Sequence, residues 1–239
     1  MTKPRAWMSW SSGKDSAFAL HEVRQQAAVE IIGLLTTVTE TFERVAMHAV
    51  LETLVERQAE ELGLPLYRVK IPSPCPNQIY ESRITEAIEQ AKREQVTHMV
   101  FGDLFLEDIR RYRETMLAPT GVRPLFPLWQ RPTRALAQAM LASGLKAVIT
   151  CVDPRQLSPA FAGRRFDESF LSDLPESVDP CGERGEFHTF VYDGPMFRHP
   201  VPIDVGDIVE RDGFVFADVV PQFDSPGPSS FSVQPSPAK

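Results

Sequence analysis

The chain has little of what would build a disulfide framework, a metal cage or a membrane anchor. It carries 3 cysteines in 239 residues, and Cys75, Cys151 and Cys181 stand far apart. Zinc sites and disulfide scaffolds announce themselves by closely spaced pairs, so free thiols are expected. No run approaches the ~20 apolar residues that a membrane-spanning helix needs, and no membrane association is expected. Positive charge is also short, with 25 Lys and Arg against 32 Asp and Glu and a formal net charge of −7. A nucleic-acid backbone is held by a positive field, so no stable nucleic-acid binding is expected. The basic run Arg110-Arg111-Tyr112-Arg113 reads equally well as one solvated face of a helix. The first residues lack the apolar core of a secretion signal, which makes a cytoplasmic protein the expectation. No internal repeat is present.

What the chain does have is alternation. Ala6 to Trp10, Ile31 to Thr37, Leu66 to Ile71, His98 to Phe101 and Ala147 to Val152 read as five strands, rich in β-branched and apolar residues. Helical patterns fall between them: Ser16 to Gln25, a helix through Met47, Val50, Leu51, Leu54, Val55, Ala59 and Leu62 closed by Gly63, Gln78 to Glu94, and Thr133 to Ser143. This spacing implies right-handed βαβ units, hence an α/β fold with a parallel five-stranded sheet covered by helices on both faces. Past residue 153 prolines and glycines multiply, Phe187 to Tyr192 and Phe214 to Val220 look like strands, and Asp212-Gly213 marks a hairpin turn. The expected division is 1–152 for the parallel domain, 153–224 for a smaller α+β domain, and 225–239 for a Pro/Ser-rich disordered tail.

Ligands of parallel sheets bind beyond the carboxyl ends of the strands, so residues 10–16, 36–48 and 102–114 should meet at one crevice. The first of these, Ser11-Ser12-Gly13-Lys14-Asp15-Ser16, follows a strand and opens a helix. Small residues let backbone approach an anion, unpaired N–H groups of a first helical turn point at it, and the helix dipole adds attraction. Lys14 supplies a mobile positive charge, and the hydroxyls of Ser11, Ser12 and Ser16 supply neutral donors. Asp15 would repel phosphate and reads as a helix cap or a magnesium contact. The spacing is not that of a Walker A loop, which needs Gly at the position of Met8 and Ser or Thr at that of Asp15. The plain alternative, a polar turn that only caps a helix, is weakened by its place after the first strand.

Strand, then Ser-Gly-Gly-X-Asp-Ser, then helix resembles the signature of the PP-loop enzymes, the N-type ATP pyrophosphatases. Ser12 stands where that family has its first Gly. The resemblance implies cleavage of ATP to AMP and pyrophosphate while a substrate is adenylated. Further segments resemble the diphthine–ammonia ligase family: Thr36-Thr37-Val38 with Arg44-Val45-Ala46-Met47-His48; Phe101-Gly102-Asp103 with Arg110, Arg113 and Glu114; Pro127-Leu128-Trp129; and Asp179-Pro180-Cys181-Gly182-Glu183-Arg184-Gly185-Glu186-Phe187-His188-Thr189-Phe190. The likeness covers about residues 5 to 205.

It implies ATP with Mg2+, a carboxylate substrate and ammonia, with amide as product. Nucleotide contacts would come from residues 11–16, Thr36, Thr37, His48, Gly102 and Asp103, and a metal contact from Asp15. Lys14, Asp103, Glu183, Glu186 and His188 would be catalytic. Arg110, Arg113, Glu114, Glu186, His188 and Thr189 would meet the substrate. Glu183 and Glu186, three apart beside His188, could hold an ammonium ion, deprotonate it, or bind a cationic part of the substrate. His188 and Thr189 read equally as inward-facing strand residues. Two departures bear on the substrate. The acidic Glu-Val-Glu-Asp-Leu-Tyr stretch of diphthamide-forming ligases is absent from residues 76–83, and His188-Thr189 stands where they have Glu-Thr. A sulfur-transferring tRNA-modifying PP-loop enzyme and a non-catalytic ATP- or AMP-binding module remain alternatives, and a homo-oligomer is left open.

Overall fold

The protein was examined as a computed structural model, which describes residues 2–40, 44–45 and 50–222, with backbone alone at 44–45. At its centre is β1 (Arg5–Ser9), flanked in parallel by β2 (Glu30–Thr39) and β5 (Val96–Val100). Beyond β2 lies β4 (Leu66–Ile71), and beyond β5 lies β6 (Arg123–Leu125), both again parallel. The short β3 (Arg44–Val45) pairs antiparallel with the end of β2. The parallel order is therefore β4-β2-β1-β5-β6. The chain runs outward to one side from β1 and then returns to fill the other. That places a topological switch point between β1 and β5, where such sheets bind ligands.

Burial explains the apolar runs. Ala6, Trp7 and Met8 are all fully buried, and alternate residues of a strand point to opposite faces. Ala6 and Met8 pack with α1 (Lys14–Gln26), α2 (Glu52–Leu62) and α5 (Thr133–Ala142). Trp7 packs on the other side with α3 (Asn77–Arg93) and α4 (Glu107–Leu117). Gly63 closes α2 at φ 67°, the left-handed geometry its position suggested.

The second sheet holds β7 (Lys146–Val152), β8 (Phe187–Asp193), β9 (Ile203–Arg211) and β10 (Phe214–Pro221) in the antiparallel order β8-β7-β10-β9. Asp212 and Gly213 turn the β9–β10 hairpin with φ 52° and 78°, as a tight turn of this pair requires. One strand differs from its sequence expectation. The 147–152 run lies inside the antiparallel sheet, and the fifth parallel strand is β6. Six consecutive buried residues in β7 mimic a parallel core strand. The three-residue Arg-Pro-Leu strand carries a proline, which speaks against a strand. The tail at 225–239 lies outside the described residues.

Candidate active site

The carboxyl ends of β1 and β5 open onto a crevice of about 610 Å³. One wall is the loop between β1 and α1. The Trp10 N–H donates to the Leu35 carbonyl at 2.7 Å and ties the loop to β2. Ser12 then adopts φ 69°, a left-handed conformation that glycine takes freely and serine at a cost. Its carbonyl accepts two hydrogen bonds, from the Val191 N–H at 3.0 Å and from Gln58 Nε2 at 3.1 Å. Gly13 caps α1, and the Lys14 N–H donates to Thr189 Oγ1 at 3.0 Å. Ser16 Oγ donates back to the Gly13 carbonyl at 3.0 Å, and Ser11 Oγ lies 3.0 Å from Ser16 Oγ. The loop is thus braced within itself and by β8 of the second sheet.

Gly102 shows why the segment after β5 needs a glycine. A Cβ at this position would lie 2.8 Å from both the Asp15 carbonyl carbon and the Ser16 amide nitrogen. Backbone meets backbone there, and this contact brings Asp103 to the crevice beside the first turn of α1.

Lys14 reaches into the crevice yet is almost wholly buried. Its ammonium pairs with Asp15 Oδ2 at 2.9 Å, donates to the Cys181 carbonyl, and lies 5.3 Å from the centre of the Phe187 ring. Burial disfavours the charge, but Asp15 and the other negative neighbours outweigh it and hold the Lys14 pKa above its ordinary value. For Asp15 the balance falls the other way. Burial pushes its carboxyl upward against the pull of Lys14, and nearby Asp179 adds to the push. Asp15 Oδ1 is buried with no hydrogen-bond partner among the described residues.

The opposite wall is the 179–189 segment, where two glutamates three residues apart are placed differently. Glu183 lines the crevice, and its Oε1 accepts the Leu104 N–H at 2.8 Å, linking this wall to the β5–α4 loop. Burial raises its carboxyl to about 7. Glu186 is buried outside the crevice lining, with Oε1 accepting the Asp179 N–H and Oε2 the Arg184 N–H, both at 2.9 Å. It braces the loop that presents Glu183. His188 lines the crevice, and burial, aided by Lys14, lowers its pKa to about 4. The imidazole is therefore neutral at physiological pH.

The remaining expected site residues divide. Asp103 faces the crevice and accepts from Arg113 Nε at 3.3 Å, while the Arg113 guanidinium lies over Phe101 at 4.7 Å. Arg110 and Glu114 lie outside that lining. They pair at 2.7 Å, and Arg110 lies near the Phe126 and Trp129 rings at 4.9 and 4.7 Å. Thr36 is buried in β2 with an unpartnered hydroxyl among the described residues, and Thr37 is half-buried beside it; neither lines the crevice. His48 lies outside the described residues. Among those residues no three His, Cys, Asp or Glu side chains are arranged to hold a metal ion. The thiols of Cys151 and Cys181 are buried, which pushes Cys151 up to about 12 and Cys181 higher still. Sequence reasoning passed over Gln58. The signal was available: it is a polar residue on the apolar stripe of α2.

Comparison with known proteins gives a consistent result. Residues 5–124 match the diphthamide synthase N-terminal domain, and residues 133–216 match the diphthamide synthase C-terminal domain. The chain is 30% identical over 231 residues to a diphthine–ammonia ligase of Danio rerio, covering 87% of this chain and 90% of that one. Diphthine–ammonia ligases of Bos taurus and Homo sapiens are each 29% identical over 194 residues, covering 74% of this chain and 70% of theirs.

Proposed function

The chain belongs to the diphthamide synthase family, and on that premise we propose that it joins ammonia to a carboxylate as an amide at the expense of ATP. It is an ATP-dependent amide-forming ligase. The observation that carries the reading is the meeting of the first turn of α1, Lys14 and the 181–189 segment around one crevice at the β1–β5 switch point.

In this reading the phosphates of ATP, which is a substrate here, lie against the loop at residues 11–16. Lys14 exchanges the Cys181 carbonyl for a phosphate oxygen. The site fits a magnesium ion through the unpartnered Oδ1 of Asp15, since Mg2+ is commonly bound by one or two carboxylates together with substrate phosphates. The ion would offset charge on the departing pyrophosphate. Thr36, Thr37 and His48, on or after β2, are proposed to meet the nucleoside side. Arg113, steadied by Asp103, is proposed to orient the carboxylate, with the Arg110–Glu114 pair on the neighbouring surface of α4 for the rest of the substrate. His188 and Thr189 complete the wall.

The carboxylate oxygen bonds to the α-phosphorus as the bond to pyrophosphate breaks. Ammonia then forms the C–N bond, and the acyl C–O bond breaks with its electron pair leaving on AMP. At neutral pH ammonia is mostly ammonium, so a base is required. Glu183 is proposed as this base, a reading supported by Glu186 having both oxygens on backbone N–H groups and by His188 being too weak a base. Glu183 takes the first proton, and the second is released to solvent with AMP. We place this reaction in the cytoplasm; no described helix is long and apolar enough to cross a membrane.

The test is incubation with α-labelled ATP, magnesium, ammonium and either a diphthine-bearing protein or other carboxylates. AMP, pyrophosphate and amide in equal amounts, dependent on carboxylate and ammonium together, are expected. ATP binding without AMP formation across the whole series would sink the reading in favour of a nucleotide-binding module. A sulfur-transfer reading finds no support in thiols that burial keeps protonated.

A further inference from the structure

Gln58 lines no part of the crevice, yet it is fully buried and every hydrogen-bonding group of its carboxamide is engaged. Its Oε1 accepts from Trp10 Nε1–H at 2.9 Å, and its Nε2 donates to the Ser12 carbonyl at 3.1 Å and to the Val191 carbonyl at 2.6 Å. A carboxamide on the apolar stripe of a helix costs stability unless it is satisfied in this way. The neighbouring stripe positions Leu54, Val55, Ala59 and Leu62 are apolar, and another apolar side chain at 58 would fill the same space.

One of the amide's bonds reaches the residue that needs it. Ser12 holds a left-handed backbone that serine adopts at a cost. Such conformations persist where the surroundings over-determine them, and they gather at functional sites. The Ser12 hydroxyl contributes nothing to offset the strain, since it is buried without a partner among the described residues. Its carbonyl is what is held, by Gln58 Nε2 and the Val191 N–H together. Gln58 also grips the indole of Trp10, two residues earlier, and so fixes both ends of the turn that presents Gly13 and Lys14.

We infer that Gln58 is a positioning residue that holds the phosphate-binding loop in its left-handed path at Ser12 and locks that loop to β8. The inference rests on the reading of this loop as the phosphate site of ATP.

The experiment is a double-mutant cycle on the full chain with ATP as the probe. Gln58→Met should weaken ATP binding about tenfold, the order expected when a hydrogen-bonded brace of a few net interactions is lost. Glycine at 12 adopts the required φ without help. Ser12→Gly in the Gln58→Met background should therefore recover most of the lost affinity, and the two changes should be strongly non-additive. The melting temperature lost with the amide should not return with the glycine, which separates positioning from core stability. An equal effect of Ser12→Gly in both backgrounds, or unchanged ATP affinity in Gln58→Met, overturns the inference. Should Gln58→Met fail to fold, Gln58→Leu carries the same comparison, because it continues the apolar stripe of α2 and removes both donors. A second arm needs no nucleotide. Amide hydrogen exchange at Gly13 and Lys14 should accelerate in Gln58→Met, and unchanged exchange counts against the inference. If the wild type binds no ATP while this acceleration occurs, the functional reading fails and the positioning role stands.

Discussion

The two walls of the crevice are built on opposite plans. On the β1–α1 side the groups proposed to work are main-chain atoms and one lysine, in a loop held by hydrogen bonds from α2 and β8 and by the close backbone contact at Gly102. On the 179–189 side the working groups are side chains whose protonation is displaced by burial. Glu183 is raised to about 7 and His188 lowered to about 4. A braced helix N-terminus with a lysine can recognise phosphate without regard to pH, whereas a carboxyl poised near neutrality can move protons. The contrast suggests that binding and cleavage of ATP belong to the first wall and proton transfer from ammonium to the second.

The strongest way to break that division is to remove the charge from the first wall. Lys14→Ala should lower AMP formation by about a thousandfold, the upper range for losing one preorganised group that stabilises developing negative charge. It also leaves Asp15 without its partner in a buried site, so circular dichroism and a melting curve must accompany the assay. A folded variant with wild-type AMP formation would remove the phosphate role assigned to the residue.

The next effect separates the walls directly. Glu183→Gln should reduce ammonium-dependent amide formation about a hundredfold, in the range for losing a general base. Carboxylate-dependent exchange of pyrophosphate into ATP should fall far less. At fixed total ammonium the wild-type rate should rise with pH and level off above about 7 as Glu183 ionises, whereas the variant, which must draw on free ammonia, should go on rising with pH without that break. His188 cannot supply it, because its own titration lies near 4. Stability gives an independent check of sign. A carboxyl raised from its ordinary 4.5 to about 7 favours the neutral form in the fold. Wild-type stability from this group is therefore present below about 4.5 and is lost as pH rises to 7, by about 1–3 kcal/mol. The Gln variant should show no such loss in that window. Identical pH dependence in the two proteins would place the base elsewhere.

Much of the first wall was legible in the amino-acid sequence, because strand, small polar loop and helix are local patterns. Ser9 to Ser16 read correctly as a strand running into a helix, and α2 and α5 followed their apolar periodicity. What was not legible depended on contacts between distant segments. The sequence shows Ser12 only as a serine where the family has its first Gly, and the backbone reveals that φ 69° is the reason glycine suits that position. Glu183 and Glu186 are alike in a Gly-rich stretch, and their separation into crevice lining and buried brace depends on which N–H groups each meets. Residues 147–152 looked like a parallel strand because both their faces are covered, but pairing direction leaves no trace in such a run. β6 was hidden by its proline and its three-residue length.

The smallest expected effect tests whether the second wall uses Cys181 as a thiol or only as backbone. Its Sγ is buried, donates weakly to the Thr133 carbonyl at 3.4 Å, and is kept protonated by burial, which raises its pKa against the pull of Lys14. A reactive cysteine needs the opposite, an exposed and electropositive site that favours thiolate. Lys14 is adjacent, yet it meets the Cys181 carbonyl, a group that any residue at this position supplies. Cys181→Ala should therefore retain AMP and amide formation within about threefold, with a modest fall in melting temperature from the lost buried sulfur. Reaction of the wild type with iodoacetamide should leave activity intact for the same reason. A large loss in Cys181→Ala, with the fold preserved, would mean that this wall carries a nucleophile as well as a base, and would reopen sulfur transfer as the chemistry of the crevice.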